Sequence, residues 1–247
     1  MPKLMKLTDD NYYSEKANNQ YFSVSQFKDF MNCEAQAMAK LKGEYKPEIT
    51  KPLLVGSYVD RYFEGTLKQF TEENPEIFTA KGELKSEFKQ AEQIIKKIEN
   101  DKLFMQFLSG EKQRIFTFKM FGVWWKIKLD SYIPNVCITD LKVVKDFSSL
   151  VKFRYDIQGA VYQKGVEICT GEKLPFYLAA ATKEKVIDLD IFQIQQSDLD
   201  TALEDVELMI DRFVQVKKGK AEPIQCGQCE YCKSIKKASI RNLKELM

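Results

Sequence analysis

Asp130, Asp140 and Lys142, near the middle of the chain, have side chains and spacing suited to phosphate chemistry. Side chains alternate between the two faces of a β-strand, so Asp140 and Lys142 in "ITDLKVV" are predicted to share a face. Asp130 ends the preceding apolar run, and a turn at "IPN" would bring it close to Asp140. Carboxylate oxygens at neighbouring strand ends are ligands that Mg²⁺ or Mn²⁺ prefers. The pattern therefore predicts a site for a hard divalent cation with a lysine beside it.

A divalent cation at such a site can activate water and neutralise charge on a phosphodiester in the transition state. Lys142 would add positive charge near the scissile phosphate. Without a cation the two carboxylates would repel each other, and one would favour protonation. The chain contains no histidine, which excludes Ser-His triads and histidine general bases. An isolated Asp-x-Lys also occurs as an exposed salt bridge at a sheet edge, so the metal interpretation depends on further motifs.

Hydrophobic periodicity predicts the helices and strands that carry these residues. Apolar residues recur at helical spacing in three N-terminal segments, at about 23–43, 52–65 and 85–109. Residues rich in β-branched and aromatic side chains then predict antiparallel strands at about 114–120, 123–131 and 136–143. A helix at about 148–169, strands at 176–182 and 186–193, and a helix at about 197–216 complete the pattern. We predict an α/β fold: a central mixed sheet with a three-strand antiparallel meander, flanked by helices and extended by N-terminal helical additions.

The chain, residues 1–247, shows no internal repeat or long linker and is predicted to be a single domain. Its parts would be an N-terminal helical region at about 22–110, a core at about 111–216, and a cysteine-rich tail at 217–247. We find no run of 18 apolar residues, and "MPKLMKLTDD" lacks the apolar segment of a signal peptide. A cytoplasmic protein without a membrane partner is expected.

Two segments of the chain resemble motifs of the PD-(D/E)XK nuclease superfamily. "LD" at 129–130 followed by "TDLK" at 139–142 is similar to its signature, with Leu129 in place of the proline. "YDIQGAVY" places Gln158 and Tyr162 four residues apart on one helical face, similar to the Q-x-x-x-Y element of the RecB-type branch. The resemblance implies a restriction-endonuclease-like core in which Asp130 and Asp140 bind Mg²⁺ or Mn²⁺. Lys142 would aid the attack of water, and Gln158 and Tyr162 would organise the site.

A third segment, "GSYVDRYFEG", is similar to the G-x-x-x-H element of RecB-type nucleases, whose histidine binds metal. Gly56 is followed by Asp60 at the histidine position, and aspartate is also a ligand for hard cations. With "SVSQFKDFMNCEA", these segments occur in the order found in phage RecE-like exonucleases, over about residues 22–232. The resemblance implies a DNA exonuclease in phage-type recombination, acting on linear duplex ends in the host cytoplasm. It also implies a single-strand annealing protein as partner and a homo-oligomer, because some relatives are toroidal.

The tail contains "CGQCEYC", in which Cys226, Cys229 and Cys232 are spaced to surround one metal centre. Thiolates favour zinc or an iron–sulfur cluster, and a fourth ligand is needed. AddB-type and CRISPR-adaptation nucleases have one N-terminal and three C-terminal cysteines that bind a 4Fe-4S cluster. Resemblance to them implies Cys33 as the fourth ligand and a 4Fe-4S cluster, with Zn²⁺ as the alternative because the last spacing is shorter here. Cys137 and Cys169 are expected to be core thiols.

Two other functions remain open from the sequence. A nuclease-fold protein that binds DNA or a partner without cutting would fit if the absent histidine at position 60 marks a dismantled metal site. A structure-specific endonuclease could use the same core. Strand polarity is not encoded in any of these motifs.

Overall fold

The computed structural model describes residues 4–238. They form two compact units, one within Met1–Val24 and Glu48–Leu208, the other within Ser25–Pro47 and Met209–Met247. Over the described residues, no helix combines the length and apolar character needed to cross a membrane.

Two β-sheets form the centre of the first unit. β1 (Arg114–Met120) and β2 (Val123–Leu129) make an antiparallel ribbon, closed by a two-residue turn at Phe121 and Gly122 in which both φ angles are positive. The other sheet has the order β3-β4-β5-β6. Its strands are β3 (Ser131–Ile133), β4 (Cys137–Val144), β5 (Phe176–Thr182) and β6 (Leu189–Gln193). β4 pairs antiparallel with β3 and parallel with β5, which confirms the predicted mixed sheet.

The predicted strand at 123–131 is divided at Asp130. Leu129 on one side pairs with Arg114 of β1, whereas Ser131 on the other side pairs with Thr139 of β4. The meander is therefore shared between the ribbon and the four-stranded sheet. Because the chain changes sheet at this residue, Asp130 belongs to neither ladder, and its side chain accepts a hydrogen bond from the backbone of β4 at Leu141.

Helices cover the four-stranded sheet and the ribbon. The first unit contains α1 (Glu15–Gln20), α4 (Lys51–Glu64), α5 (Leu67–Glu73), α6 (Ser86–Glu99), α7 (Lys102–Phe107), α8 (Ser149–Lys152), α9 (Tyr155–Thr170) and the N-terminal part of α10 (Gln196–Lys217). α4 and α6 contribute buried Val59 and Ile94 to a core that includes Leu141 of β4. The face of β4 opposite Leu141 bears Asp140 and Lys142, as the two-residue period predicts.

Two predicted helices are interrupted in the first unit. The helix expected at 85–109 divides before α7, where the Asp101 side chain caps the new helix by accepting a hydrogen bond from the Phe104 N–H at 2.9 Å. The helix expected at 148–169 divides between α8 and α9 at Arg154, which has a left-handed backbone with φ +47°. This second interruption sets where α9 begins and therefore which of its residues face β4.

α9 approaches the strands closely because it carries two glycines. A Cβ at Gly159 would lie 2.6 Å from the Phe176 ring, and a Cβ at Gly165 would lie 2.3 Å from the Phe118 ring. Both distances are far inside van der Waals contact, so a side chain at either position would push α9 away. The close approach brings the polar residues of α9 within hydrogen-bonding distance of β4.

The second unit contains most of α2 (Val24–Asn32), α3 (Glu34–Leu41), the C-terminal part of α10 and α11 (Glu230–Ile235). The helix predicted from residue 23 is interrupted at Cys33, whose backbone is extended with φ −167° and ψ 108°. Phe213 packs against Phe27 and Phe30, with ring centroids 5.2 and 5.4 Å apart. Alanines of α3 and further apolar residues of α10 are buried as well, and ion pairs and cysteines add to the contacts of this unit.

Candidate functional site

Asp140 is the centre of a buried polar cluster in the first unit. The residue is 2% exposed and lies in the middle of β4. Gln158 of α9 donates a hydrogen bond to Asp140 Oδ1 at 2.6 Å, and the Lys142 ammonium forms an ion pair with Oδ2. A buried carboxylate is tolerated only with such partners. The two interactions fix the orientation of the Asp140 carboxylate.

Asp130 and Asp60 approach the same cluster from a strand end and from α4. Asp130 Oδ2 accepts a hydrogen bond from the Leu141 N–H at 3.1 Å. Burial, with a further contribution from the charge of Asp140, raises the pKa of Asp130 well above its ordinary value. Burial likewise raises the pKa of Asp60 to about 7. Asp60 Oδ1 is buried without a hydrogen-bond partner among residues 4–238. The three carboxylates therefore form a site that is electrostatically unfavourable by itself.

Lys142 is the cation that opposes these charges. Burial by itself would lower the pKa of the Lys142 ammonium, but the carboxylates of Asp140 and Asp130 raise it above the ordinary lysine value. The ammonium also lies 5.3 Å from the centre of the Tyr155 ring, a cation–π contact. Lys142 is consequently charged at neutral pH.

Tyr162 lies one helical turn beyond Gln158 on α9. Its ring packs edge-on against Phe176, with centroids 6.1 Å apart. Burial and the charge of Asp140 raise the pKa of Tyr162 well above its ordinary value, so the hydroxyl stays protonated. Tyr162 lies on the same face of α9 as Gln158, which holds Asp140.

A small recess with a cavity volume of about 10 Å³, room for about one water molecule, lies beside the carboxylates. Five polar residues from three segments of the first unit line the recess: Asp60, Glu64, Lys112, Gln113 and Asp130. The Lys112 ammonium donates to the Leu108 carbonyl oxygen, and burial lowers its pKa. Gln113 has a left-handed backbone with φ +53°, and its Nε2 is buried without a hydrogen-bond partner in the described part of the chain.

The donor set around the recess fits Mg²⁺ or Mn²⁺. Its ligands would be oxygens from Asp60, Asp130 and Asp140, and hard cations favour carboxylate oxygen. The partnerless Oδ1 of Asp60 is an available ligand atom. A bound cation would also offset the burial and the mutual repulsion that raise the pKa values of Asp60 and Asp130.

The structure brings together all of the predicted site residues in the first unit: Asp60, Asp130, Asp140, Lys142, Gln158 and Tyr162. Sequence reasoning missed Tyr155 and Gln113. Tyr155 could have been found, because it precedes Gln158 by three residues and shares its helical face. No sequence signal marks Gln113, since its position depends on how the chain turns into β1.

The second unit brings together the four predicted cysteines. The sulfur atoms of Cys33, Cys226, Cys229 and Cys232 all lie within 4.8 Å of one another, a group of ligand atoms that could hold a metal ion. Cys33 Sγ is 3.5 Å from Cys232 Sγ, and Cys226 Sγ is 4.0 Å from Cys232 Sγ.

Backbone N–H groups point at these sulfurs. Cys226 Sγ accepts from the N–H groups of Gln228 at 3.5 Å and Cys229 at 3.3 Å, and Cys229 Sγ accepts from the Cys232 N–H at 3.4 Å. The N–H groups of Cys229 and Gln228 lower the pKa of Cys226 to about 6, whereas burial raises the pKa of Cys229 to about 12. Of the other two thiols, Cys137 is buried as predicted, but Cys169 is exposed because the last turn of α9 faces solvent.

Comparisons with known proteins agree with this geometry. Residues 23–235 match the model of a family described as "PDDEXK-like domain of unknown function (DUF3799)". A solved structure from Eubacterium rectale named "Putative exonuclease" is 47% identical, with a TM-score of 0.95 and 98% of each chain covered. Another, named SSO0001, is 13% identical over 87% of this chain and 98% of its own, with a TM-score of 0.33. No curated protein matches the chain. The family match and the Eubacterium rectale structure support a nuclease, and the chain belongs to the PDDEXK-like family DUF3799.

Proposed function

We propose that this protein is a Mg²⁺- or Mn²⁺-dependent DNA exonuclease that hydrolyses phosphodiester bonds from linear duplex ends. The observation that carries the proposal is the arrangement around Asp140, which Gln158 orients and Lys142 neutralises within one buried cluster. A non-cutting binding protein would have no need to bury three carboxylates beside a lysine, because buried charges are costly. The relative named "Putative exonuclease" supports the exonuclease form of the activity.

Each residue of the cluster has a distinct part in the proposed reaction. Asp60, Asp130 and Asp140 would hold the cation, which supplies activation of water and neutralisation of phosphate charge. Lys142 remains protonated and stabilises negative charge that develops on the scissile phosphate. Gln158 keeps the Asp140 carboxylate in one orientation, and Tyr162, on the same face of α9, would help to organise the site. Asp130 is fixed separately by the Leu141 N–H.

A groove in the first unit offers a surface for the substrate beside this cluster. Its volume is about 560 Å³, and its lining includes Phe147, Tyr155, Phe192 and Arg154. Tyr155 connects it to the cluster, because the same ring contacts Lys142. Aromatic rings are platforms on which unpaired bases stack with little sequence preference. The groove therefore supports a nucleic-acid substrate with bases exposed near the cut.

The test is digestion of an end-labelled linear duplex beside a covalently closed circle of the same sequence, with Mg²⁺ or Mn²⁺. We expect the linear DNA alone to be degraded, and Lys142→Ala to abolish the activity. Lys68→Ala, which removes an exposed lysine of α5, is the matched control and should cut as wild type. Cutting of the circle would replace the proposal by an endonuclease. No cutting of either substrate with both metals would favour a DNA-binding protein.

The proposal extends to phage-type recombination, in which the exposed strand passes to a single-strand annealing protein. Within it, a homo-oligomer around the duplex would keep the enzyme on one DNA end. Sedimentation of the protein with and without duplex DNA tests the oligomer, and a processive digestion pattern under excess unlabelled DNA tests retention on the end.

A further inference from the structure

We propose that the four-cysteine centre holds a single tetrahedral metal ion, zinc, and not a 4Fe-4S cluster. The proposal concerns the second unit and does not depend on the nuclease activity. It follows from the spacing of the four sulfur atoms and from the backbone around them.

The spacing distinguishes the two kinds of centre. Zinc binds four thiolate sulfurs at about 2.3 Å, so a tetrahedral site places the sulfurs about 3.8 Å apart. In a cubane cluster each cysteine binds a different iron, and the four sulfurs must stand about 6 Å apart around the larger core. The separations of 3.5 Å from Cys33 to Cys232 and 4.0 Å from Cys226 to Cys232 match a single ion. All sulfur pairs lie within 4.8 Å, which leaves too little room for a cubane.

The backbone also fits a compact thiolate site. Gly227 has a positive φ of 71°, which turns the chain so that the N–H groups of Gln228 and Cys229 point at Cys226 Sγ. Cys229 precedes α11, and its sulfur accepts the Cys232 N–H from the first turn of that helix. These N–H groups stabilise the negative charge of a tetrathiolate. Zinc has no redox chemistry, so the centre would be structural and would transfer no electrons.

The test is the metal and sulfide content of protein expressed at a low level with iron and zinc both supplied, and purified without oxygen. We expect about one zinc per chain with neither iron nor acid-labile sulfide. Replacement by Co²⁺ should give the intense visible absorption of a tetrahedral cobalt tetrathiolate. That absorption should shift in Cys33→Ser and be unchanged in Cys169→Ser, the matched control at an exposed thiol. Iron and sulfide in equal amounts at about four per chain, with broad brown absorption, would overturn the proposal.

An independent observation concerns Gln113 in the first unit. We infer that its side-chain amide donates a hydrogen bond to a water or phosphate oxygen held in the recess, an inference that rests on the proposed metal-dependent nuclease. Buried donors are almost always paired, so a buried amide without a partner requires an explanation. Gln113 Nε2 has none among the described residues, and it lines the recess with Asp60 and Asp130.

The backbone at Gln113 supports a functional explanation. A left-handed conformation is unfavourable for a residue with a side chain, and here it directs glutamine into the recess just before β1 begins. The partnerless amide lines the same recess as the partnerless Oδ1 of Asp60. Water or phosphate oxygen bound to a cation at Asp60 and Asp130 would satisfy the amide. Gln113 is therefore a positioning residue for groups bound to the metal.

The test uses Gln113→Leu, which keeps the approximate size and removes the donor, with Gln106→Leu on an exposed position of α7 as control. Without divalent metal we expect the thermal midpoint of Gln113→Leu to equal or exceed that of wild type, because a buried unpaired donor is removed. Its affinity for Mn²⁺, measured by electron paramagnetic resonance, should fall by about tenfold or more. A lower midpoint with unchanged Mn²⁺ affinity would show a structural role and overturn the inference. Failure of wild type itself to bind Mn²⁺ would instead contradict the nuclease proposal.

Discussion

The carboxylate cluster around Asp140 and the cysteine centre are both polar groups of four or more residues, yet they are built in opposite ways. In the carboxylate cluster, like charges are buried together, and two of the aspartates have raised pKa values. In the cysteine centre, backbone N–H groups point at two of the sulfurs, and the four ligand atoms converge within 4.8 Å. The carboxylate cluster lowers the stability of the fold until a cation neutralises it. The cysteine centre is already arranged to bind a metal ion.

This difference suggests separate roles for the two groups: the carboxylate cluster in chemistry and the cysteine centre in stability of the fold. Strain stored at a site is a common feature of active centres, because the same groups that destabilise the free protein act on the substrate. A thiolate centre that closes a small unit stabilises the fold directly. Substitutions in the carboxylate cluster should therefore reduce activity without loss of stability, and substitutions in the cysteine centre should do the reverse.

The largest expected effect is on activity, in Asp140→Asn. Removal of one charge leaves the cation and Lys142 without their shared partner, so we expect DNA cleavage to fall by about 10³-fold or more. The thermal midpoint without divalent metal should change little, because Asp130 and Asp60 remain as counter-charges for Lys142 once residue 140 is neutral. Cleavage is measured on labelled linear duplex, and stability by thermal unfolding. Activity within tenfold of wild type would remove Asp140 from the reaction.

The next effect is on stability, in Cys33→Ala and Cys229→Ala. If both cysteines bind the same centre, either substitution should remove its metal and destabilise the second unit equally, by on the order of 4 kcal/mol. The measurements are metal content and urea unfolding, with hydrogen exchange of residues 25–47 to localise the loss. Cys169→Ala, at an exposed thiol outside the centre, is the control. Unchanged metal content in Cys33→Ala would place the fourth ligand elsewhere.

The stability of the protein should depend on pH through Asp60, in the carboxylate cluster. Its pKa is raised from 3.8 to about 7, so the folded state binds more protons than the unfolded state between these values. The stability contributed by this group is therefore present at low pH and is lost as the pH rises through 7. For a group with these two pKa values, the linkage relation gives a loss on the order of 1 kcal/mol between pH 6 and pH 8.

Asp60→Asn cannot titrate and should lack this contribution. The measurement is urea unfolding of both proteins at pH 6 and pH 8 without divalent metal, compared as a difference so that other groups cancel. Saturating Mg²⁺ should reverse the trend in wild type, because deprotonated Asp60 binds the cation. Equal slopes for the two proteins without metal would mean that Asp60 is ionised throughout this range.

The smallest expected effect concerns the support of the cysteine centre. Glu34 accepts hydrogen bonds from Arg212 at 2.8 and 3.0 Å and from the Ile224 N–H at 2.8 Å, next to Cys33 in the chain. Glu34→Gln should cost about 1–2 kcal/mol in urea unfolding, because part of a buried, charged network is lost. The control is Asp29→Asn, since the partly exposed Asp29–Lys40 pair should contribute under about 0.5 kcal/mol. Equal effects would show that the Glu34 network is no stronger than a surface ion pair.

Much of the fold and most of the site could be predicted because both follow short-range periods. The two-residue period of β4 predicts that Asp140 and Lys142 share a face, and the helical period of α9 predicts the same for Gln158 and Tyr162. The interruptions at Asp130, Arg154 and Cys33 could not be predicted. Each of these residues is compatible with the element around it, and the break depends on packing between elements distant in sequence. Gln113 was missed for the same reason.

The interruption at Cys33 has a consequence for how the chain matures. Cys33 leaves the ribosome early, but its contact with Cys232 spans 199 residues. Closing so long a segment is slow, and it is impossible before the C-terminal cysteines are made. The strand pairs of the first unit depend on much shorter separations, such as that between Leu129 and Arg114. We therefore expect the sheets to form during synthesis and the cysteine centre to form after it. Metal binding by the cysteines would then come last, on a chain whose carboxylate cluster is already assembled.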